Sequence, residues 1–323
     1  MSEPLRAVFF GTPEFAAPSL AALLDAGFEV PLVVTQPDRP VGRRHGEARR
    51  SAVAELAEAR GIPTVKPAKI RGDAELLDRL RAARPDALAV VAYGRILPAE
   101  ILALPRLAPV NVHASRLPRH RGASPIQAAI LAGDTETAVA TMRMVEQLDA
   151  GPVYLERRTA IGPRETAGEL SARLAPVGGE LLVETLRRLA AGALDARPQT
   201  GEPTYCRTIR REDGRADWAL DASTLDRTLR AYTPWPGLFT TLGTERVKIL
   251  EAEPWVRDEG DAEAGADAGH PPGTVYREGA DLLASVGGGT VLRILRLQRA
   301  GRGPVSGMQF AAGARLPARF GDE

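Results

Sequence analysis

The stretch that most constrains this chain is residues 107–127, LAPVNVHASRLPRHRGASPIQ. An apolar run ends there in Asn111-Val112-His113, and along an extended strand residues two apart share a face. An amide and an imidazole therefore stand on one side of a strand end. A loop with Ser115, Pro118 and Gly122 follows at once. The next helical pattern starts near Pro125, which suits a first turn because proline has no N–H to leave unpaired. Open α/β sheets place their ligands at the carboxyl ends of strands, in such loops. A histidine at a strand end, taken alone, is more often a structural group that ties down a turn.

The chain before this stretch supplies a sheet. Residues 5–10, LRAVFF, read as a buried strand ending at Gly11; a helix over about 16–26 and a second strand over 28–35 follow. This βαβ opening predicts a parallel sheet. No G-x-G-x-x-G follows the first strand, which argues against a bound dinucleotide. Further helices are expected at 51–60 and at 73–83, the latter with Asp73 as N-cap. Strands are expected at 63–65, 86–92, 109–113, 137–145 and 153–160, and a helix at 124–132. Residues 165–191 read as helical with an interruption at Pro176-Val177-Gly178-Gly179.

Residues 192–207, GALDARPQTGEPTYCR, lack periodicity and read as a linker between a domain over 1–191 and one over 208–323. Two domains also suit a length of 323 residues. Beyond the linker, short strands such as TVYREG and TVLRILRLQ are separated by Gly or Pro, which predicts a small OB-like β-barrel. The net charge is only +1, so the average says nothing about nucleic acid, but its distribution is uneven. From Leu282 to Gly321 there are six Arg and no Asp or Glu, which predicts a basic face. Residues 258–273 are acidic, rich in Ala and Gly, and read as a loop.

Residues 35–50, TQPDRPVGRRHGEARR, hold five Arg against Asp38 and Glu47. A solvated surface loop is the ordinary reading, but the stretch is long for a βα connection, and long loops in compact domains are often functional. The single cysteine, Cys206, excludes an intramolecular disulfide and a Cys-rich metal site. The four His have no metal-ligand spacing, so no metal is expected. No signal peptide is visible and no run approaches the roughly 18 apolar residues of a membrane span. A cytoplasmic monomer with no membrane partner is the expectation.

The run N-V-H-A-S-x-L-P-x-x-R-G-A-S-P-I-Q, with Gln147-Leu148-Asp149-Ala150-Gly151 downstream, resembles the folate-dependent formyltransferases. Their signature is an Asn-x-His on a strand, an S-L-L-P-x-x-R-G loop, and an Asp in a L-D-x-G turn. T-Q-P-D-R-P-x-G-R at the start of the Arg-rich loop resembles an insertion that reaches the tRNA acceptor stem in members acting on initiator methionyl-tRNA. The likeness runs along nearly the whole chain. It implies a Rossmann-like, mostly parallel α/β catalytic domain using 10-formyltetrahydrofolate, followed by a tRNA-binding barrel. The implied catalytic residues are Asn111, His113 and Asp149, with Asp149 fixing the tautomer of His113 and supporting its charged form. The implied folate contacts are Ser115, Arg116, Leu117 and Pro118, through their backbone, and the turn holding Tyr93, Gly94, Ile96 and Leu97. Plain packing is an equal reading for Tyr93, and Arg116 stands where the family has Leu. Arg39, Arg43 and Arg44 are the implied tRNA contacts, with Arg43 foremost. Two alternatives remain open: a formyltransferase for an amino-sugar nucleotide, and a folate- or RNA-binding protein without catalysis.

Overall fold

The computed structural model describes residues 3–40, 48–256 and 269–321. The chain forms two compact units. One comprises residues 1–126, 135–161 and 170–207; the other comprises 127–134, 162–169 and 208–323.

The first unit opens with β1 (Ala7–Gly11), all five residues buried, a 3-10 turn over Glu14–Ala16 and α1 (Ala17–Asp25). Strand β2 is only Val33–Val34. The longer strand expected over 28–35 is interrupted by Pro31, which has no N–H to give a ladder. Its start survives as a bridge between Arg6 and Glu29. Then β3 (Arg39–Pro40) and β4 (Ala48–Arg49) form a small antiparallel ladder of their own. Helix α2 (Ala52–Ala59) is capped by Ser51, and α3 (Ala74–Ala82) by Asp73, whose carboxylate accepts from the Leu76 N–H at 3.0 Å. Between them lies β5 (Thr64–Val65). The buried run β6 (Ala87–Val91), the short α4 (Ala99–Leu102) and β7 (Ala108–His113) follow. Next come β8 (Arg121–Gly122), α5 (Pro125–Leu131), β9 (Glu136–Arg143), β10 (Val153–Ala160), α6 (Ala167–Ala190) and β11 (Tyr205–Cys206).

The main sheet has the order β10-β9-β7-β6-β1-β2-β5. It is parallel from β7 to β5, with β9 and β10 added antiparallel. The chain runs outward from β1 in both directions, so the order reverses between β1 and β6, the kind of place where α/β sheets hold ligands. Gly11 pairs with Val91, and Val91 with Val112, which puts Gly11, Val91 and His113 at one edge.

Helix α6 corrects an expectation, because it runs unbroken through Pro176 and the two glycines after it. Those glycines serve packing. A Cβ on Gly178 would lie 2.9 Å from Val112 Cγ1, and one on Gly179 would lie 3.0 Å from Ala22 Cβ and the Pro18 carbonyl. The aperiodic stretch before Arg207 is not a free tether either. Arg197 bridges Val153, and β11 pairs in parallel with β8.

The second unit contains α7 (Ala222–Ala231), capped by Asp221, and the strands β12 (Leu238–Leu242), β13 (Glu245–Pro254), β14 (Thr274–Glu278), β15 (Asp281–Ser285) and β16 (Val291–Arg299). It ends with β17 (Val305–Ser306), α8 (Gly307–Gly313) and β18 (Ala318–Arg319). The sheet order is β12-β13-β16-β15-β14-β18, all antiparallel, with β17 on β16. A bridge from Leu242 to Phe320 brings the two ends of that order together and nearly closes a barrel. Trp218 stacks on Phe320 inside it, centroids 5.4 Å apart. The basic run on β16 is largely neutralised: Arg293, Arg296 and Arg299 pair with Glu253, Glu251 and Glu245 of β13. The run looked unopposed because its partners lie 40 or more residues upstream.

Candidate active site

Strand β7 presents Asn111 and His113 from a buried position at the sheet's carboxyl edge. Chain topology brings Asp149 to them: its Oδ2 lies 3.8 Å from His113 Nδ1. That is too long for a hydrogen bond, and it is an ion pair only when the ring is protonated. The other ring nitrogen, Nε2, lies 3.0 Å from the carbonyl oxygen of His120. A carbonyl only accepts, so Nε2 carries the proton and donates it. Nδ1 of the neutral ring is then bare and faces the Asp149 carboxylate. The tautomer is therefore set by His120, not by Asp149 as expected. A proton arriving at Nδ1 would form an imidazolium beside a carboxylate, and the two charges attract. Among the described residues no hydrogen bond engages the Asn111 side-chain amide, so its N–H groups remain available to a ligand.

Asp149 is held in turn. Its Oδ2 accepts from the Gly122 N–H at 2.7 Å. Its own backbone has φ +47°, in the left-handed region that most residues avoid. Two residues on, a Cβ on Gly151 would lie 1.7 Å from the Arg143 carbonyl oxygen, so only glycine fits.

The loop after β7 is built on two anchors. Ser115, wholly buried, donates to the Arg119 carbonyl at 2.6 Å, and Leu117 packs against Ala140 and Met142. Arg116 points outward and pairs with Glu136 at 3.6 Å, which explains why a charge fits where the formyltransferase signature has Leu. A cleft of about 1040 Å³ lies against this loop, lined by Arg116, Pro118, Tyr154, Glu156, Arg197 and Gln199 among others. In the turn after β6 the Tyr93 ring is a core group, 2% exposed and edge-on to Phe10. Burial pushes its phenol up to about 12. The Tyr93 carbonyl accepts from Gln36 Nε2 at 2.6 Å. Packing is thus the reading the structure gives to that ring. Leu97 is also packed inward, whereas Ile96 is 72% exposed. Gly94 has φ +76°, and a Cβ there would meet Gln36 Nε2 at 2.7 Å.

The base of the Arg-rich loop is pinned. The Gln36 N–H donates to Thr12 Oγ1 at 3.2 Å, Thr35 and Ser51 hydroxyls meet at 2.9 Å, and Asp38 binds Lys66 at 2.6 Å. Arg39 lies in the β3–β4 ladder, opposite Arg49. Arg43 and Arg44 lie outside the described residues.

Sequence reasoning missed the contribution of residues 197–206. Gln199 reaches the Asp149 turn, and Thr204 reaches His120. Nothing in an aperiodic stretch marks such residues; the steric demand of Gly122, whose Cβ would lie 2.1 Å from the Cys206 carbonyl, is visible only in three dimensions. Cys206 itself is half-buried, its thiol directed at the His120 and Arg121 carbonyls, and burial raises its pKa. Among the described residues no group of three or more His, Cys, Asp or Glu could hold a metal ion, and no helix is long and apolar enough to cross a membrane.

In the second unit a separate cleft of about 390 Å³ is lined by Arg211, Trp235, Arg246, Lys248, Gln298 and Arg299, with others. Trp235 is 56% exposed. The Arg246 guanidinium sits 3.6 Å above the Phe239 ring, and its buried Nε has no partner among the described residues. Burial and the nearby Arg211 charge both lower the Arg246 pKa.

Comparison with known proteins places this geometry. The family described as formyl transferase matches residues 5–186, and the formyl transferase C-terminal domain matches 208–315. The methionyl-tRNA formyltransferase of Aromatoleum aromaticum is 45% identical over 312 residues, covering 96% of this chain and 94% of its own. That of Gluconobacter oxydans is 44% identical, covering 97% of this chain and 98% of its own. Among solved structures, an N-formyltransferase from Helicobacter canadensis in complex with folinic acid and dTDP-3-aminofucose aligns with TM-score 0.64 at 16% identity, covering 90% of this chain and 99% of that one. The methionyl-tRNA formyltransferase from Clostridium thermocellum aligns with TM-score 0.52 at 16% identity, covering 80% and 96%. At such identities the structural matches speak for the fold alone, whereas the full-length sequence matches and the family match over more than half of the chain speak for descent. The chain belongs to the formyl transferase family, alongside the methionyl-tRNA formyltransferases.

Proposed function

We propose that this protein transfers the formyl group of 10-formyltetrahydrofolate to the amino group of methionine carried on initiator tRNA, giving N-formylmethionyl-tRNA. The observation that carries the reading is the 45% identity to methionyl-tRNA formyltransferases over 96% of this chain; Asn111, His113 and Asp149 all lie inside the stretch that the formyl transferase family matches. In the reaction the amine attacks the formyl carbon and the carbonyl oxygen becomes an oxyanion. The Asn111 amide donates to that oxyanion, the role in which a prearranged donor is most effective. The bare Nδ1 of His113 takes the proton the amine must lose. The C–N bond to the folate nitrogen then breaks, and that nitrogen leaves with a proton, so amine and donor exchange formyl for hydrogen. Asp149 stabilises the charged imidazole between these steps.

Folate binding falls to the loop of Ser115, Arg116, Leu117 and Pro118 and to the turn after β6, where Gly94 and exposed Ile96 are the candidates. For tRNA, the Arg-rich loop with Arg39, Arg43 and Arg44 is the candidate acceptor-stem contact. The barrel cleft is a candidate for the phosphate backbone. Arg211, Arg246 and Lys248 are cations without a carboxylate partner among the described residues, and an exposed tryptophan stands beside them. Phosphate contacts draw on such cations, and bases stack on such rings. The reading also carries a cytoplasmic monomer that needs no metal. The deciding assay offers 10-formyltetrahydrofolate with either charged initiator tRNA or a free amino-sugar nucleotide. Formylation of the tRNA is expected; formylation of the sugar alone would overturn the assignment.

A further inference from the structure

Both members of the His113–Asp149 pair are gripped from behind by the segment that follows α6. Gln199 supplies one grip. Its Nε2 donates to the carbonyls of Asp149 and Gly151 at 2.8 and 2.7 Å. Its Oε1 accepts from Nε and Nη2 of the buried Arg121 at 3.1 and 2.6 Å. A glutamine amide has two donors and two acceptor positions, and here all four are used. The Asp149–Gly151 turn, with its left-handed residue, is thereby fixed to β8. Thr204 supplies the other grip. Its Oγ1 accepts from the His120 N–H at 2.8 Å, and its carbonyl accepts from the Arg121 N–H at 2.9 Å. His120, also left-handed at φ +57°, is the residue whose carbonyl receives the His113 Nε2 proton.

We propose that Gln199 and Thr204 are positioning residues of the catalytic pair: Gln199 aims Asp149, and Thr204 holds the His120 carbonyl that keeps the His113 proton on Nε2 and leaves Nδ1 free. The inference rests on the formyl-transfer reading of the site. It assigns to the chain between the two sequence domains a part in the chemistry, beyond joining them. Gln199 acts on the pair through the Asp149 turn, and Thr204 acts through His120. Glutamate cannot replace Gln199, because a carboxylate has no proton to give two carbonyls. Asparagine is one methylene too short to span from Arg121 to the turn.

The test uses the full-length protein with Gln199→Leu, which keeps size and removes every bond, and the pair Thr204→Val and Thr204→Ser. Steady-state kinetics are measured with each substrate varied, and the His113 tautomer is read by nitrogen-15 NMR of labelled imidazole. Gln199→Leu and Thr204→Val are expected to lower kcat about tenfold or more, since misplacement by about 1 Å can cost roughly a hundredfold. KM for folate and for tRNA should change far less. Thr204→Ser should recover most of the loss, and Thr204→Val should mix the His113 tautomers where the parent shows Nε2–H. If Thr204→Val does not fold, Thr204→Ala carries the same expectation. Parent-like kcat in both the leucine and the valine variants, or a loss confined to KM, would overturn the proposal, as would an unchanged tautomer in the Thr204 variant. A parent inactive on charged tRNA would strike the formyl-transfer reading instead. The tautomer measurement needs no substrate and would still decide the role of Thr204.

Discussion

His113 keeps its proton on the nitrogen that faces a backbone carbonyl and turns its lone pair toward Asp149. Two substitutions follow from that division. His113→Ala removes the proton acceptor. Asp149→Asn keeps an oxygen for the Gly122 N–H but removes the charge beside Nδ1. Each should lower kcat by roughly a hundredfold or more, the usual range for a missing acid–base group, with folate affinity by equilibrium dialysis changing little. Near-parent turnover in a folded variant would take that residue out of the mechanism. Tyr93 makes the opposite kind of claim, one about stability. Its hydroxyl is buried without a partner among the described residues, and burial pushes the phenol from 10.0 to about 12. A phenol raised in the folded state contributes stability that is complete below its unfolded value and is lost as pH climbs through the folded one. Tyr93→Phe should therefore hold or gain up to about 1 kcal/mol at neutral pH, since a buried unsatisfied hydroxyl is itself costly. It should also lose part of the decline between pH 10 and 12. Urea denaturation as a function of pH measures both; a large loss at neutral pH would mean that the hydroxyl has an essential partner.

Elements divide sharply by how well their sequences announced them. Strands β1, β6 and β7 are short apolar runs, and β10 lies at the residues expected; α3 carries its cap in plain sight at Asp73. The proposed catalytic trio was legible only through the family signature, since spacing alone places Asn111 beside His113 and says nothing of Asp149. What failed to show were interactions over long separations. The carboxylates opposite the β16 arginines, the grip of residues 197–206 and the real use of Gly178 all depend on partners remote in the chain. Helix α6 illustrates the error best. Glycine costs a helix about 1 kcal/mol relative to alanine, so Pro176 followed by two glycines looked like a break. In the fold Gly178 is where the helix meets Val112, the residue between Asn111 and His113. Packing outweighs propensity there. Gly178→Ala should destabilise by about 1–3 kcal/mol, the cost of overpacking a tight space, in spite of the better helix former. An increase in the unfolding midpoint would show that the glycine is dispensable. Because Val112 belongs to the site strand, the same change should also lower turnover.

At the scale of the molecule, a net charge of +1 conceals local design. Three arginines of β16 are taken up by glutamates of β13, while Arg211, Arg246 and Lys248 gather around a cleft with Trp235. Replacing Arg246 by Ala should weaken tRNA binding and flatten the dependence of log affinity on log salt by about one unit for each phosphate the cleft no longer neutralises. An unchanged slope would make the cleft an ordinary surface. Arg43→Ala should act differently, lowering kcat with folate saturating, if the Arg-rich loop also positions the amine. The second unit has a further property in its make-up: it includes residues 162–169, which come long before the chain enters the barrel. Within it, Asp226 is bound by Arg164 at 2.8 Å as well as by Arg230, and the Gly168 N–H donates to the Thr233 carbonyl at 3.0 Å. A gene broken near codon 207 would encode a barrel lacking the Arg164 and Gly168 contacts. Recombination could shuffle the two halves among relatives only where the donor also matched the segment around Arg164, so the halves are expected to have been inherited together.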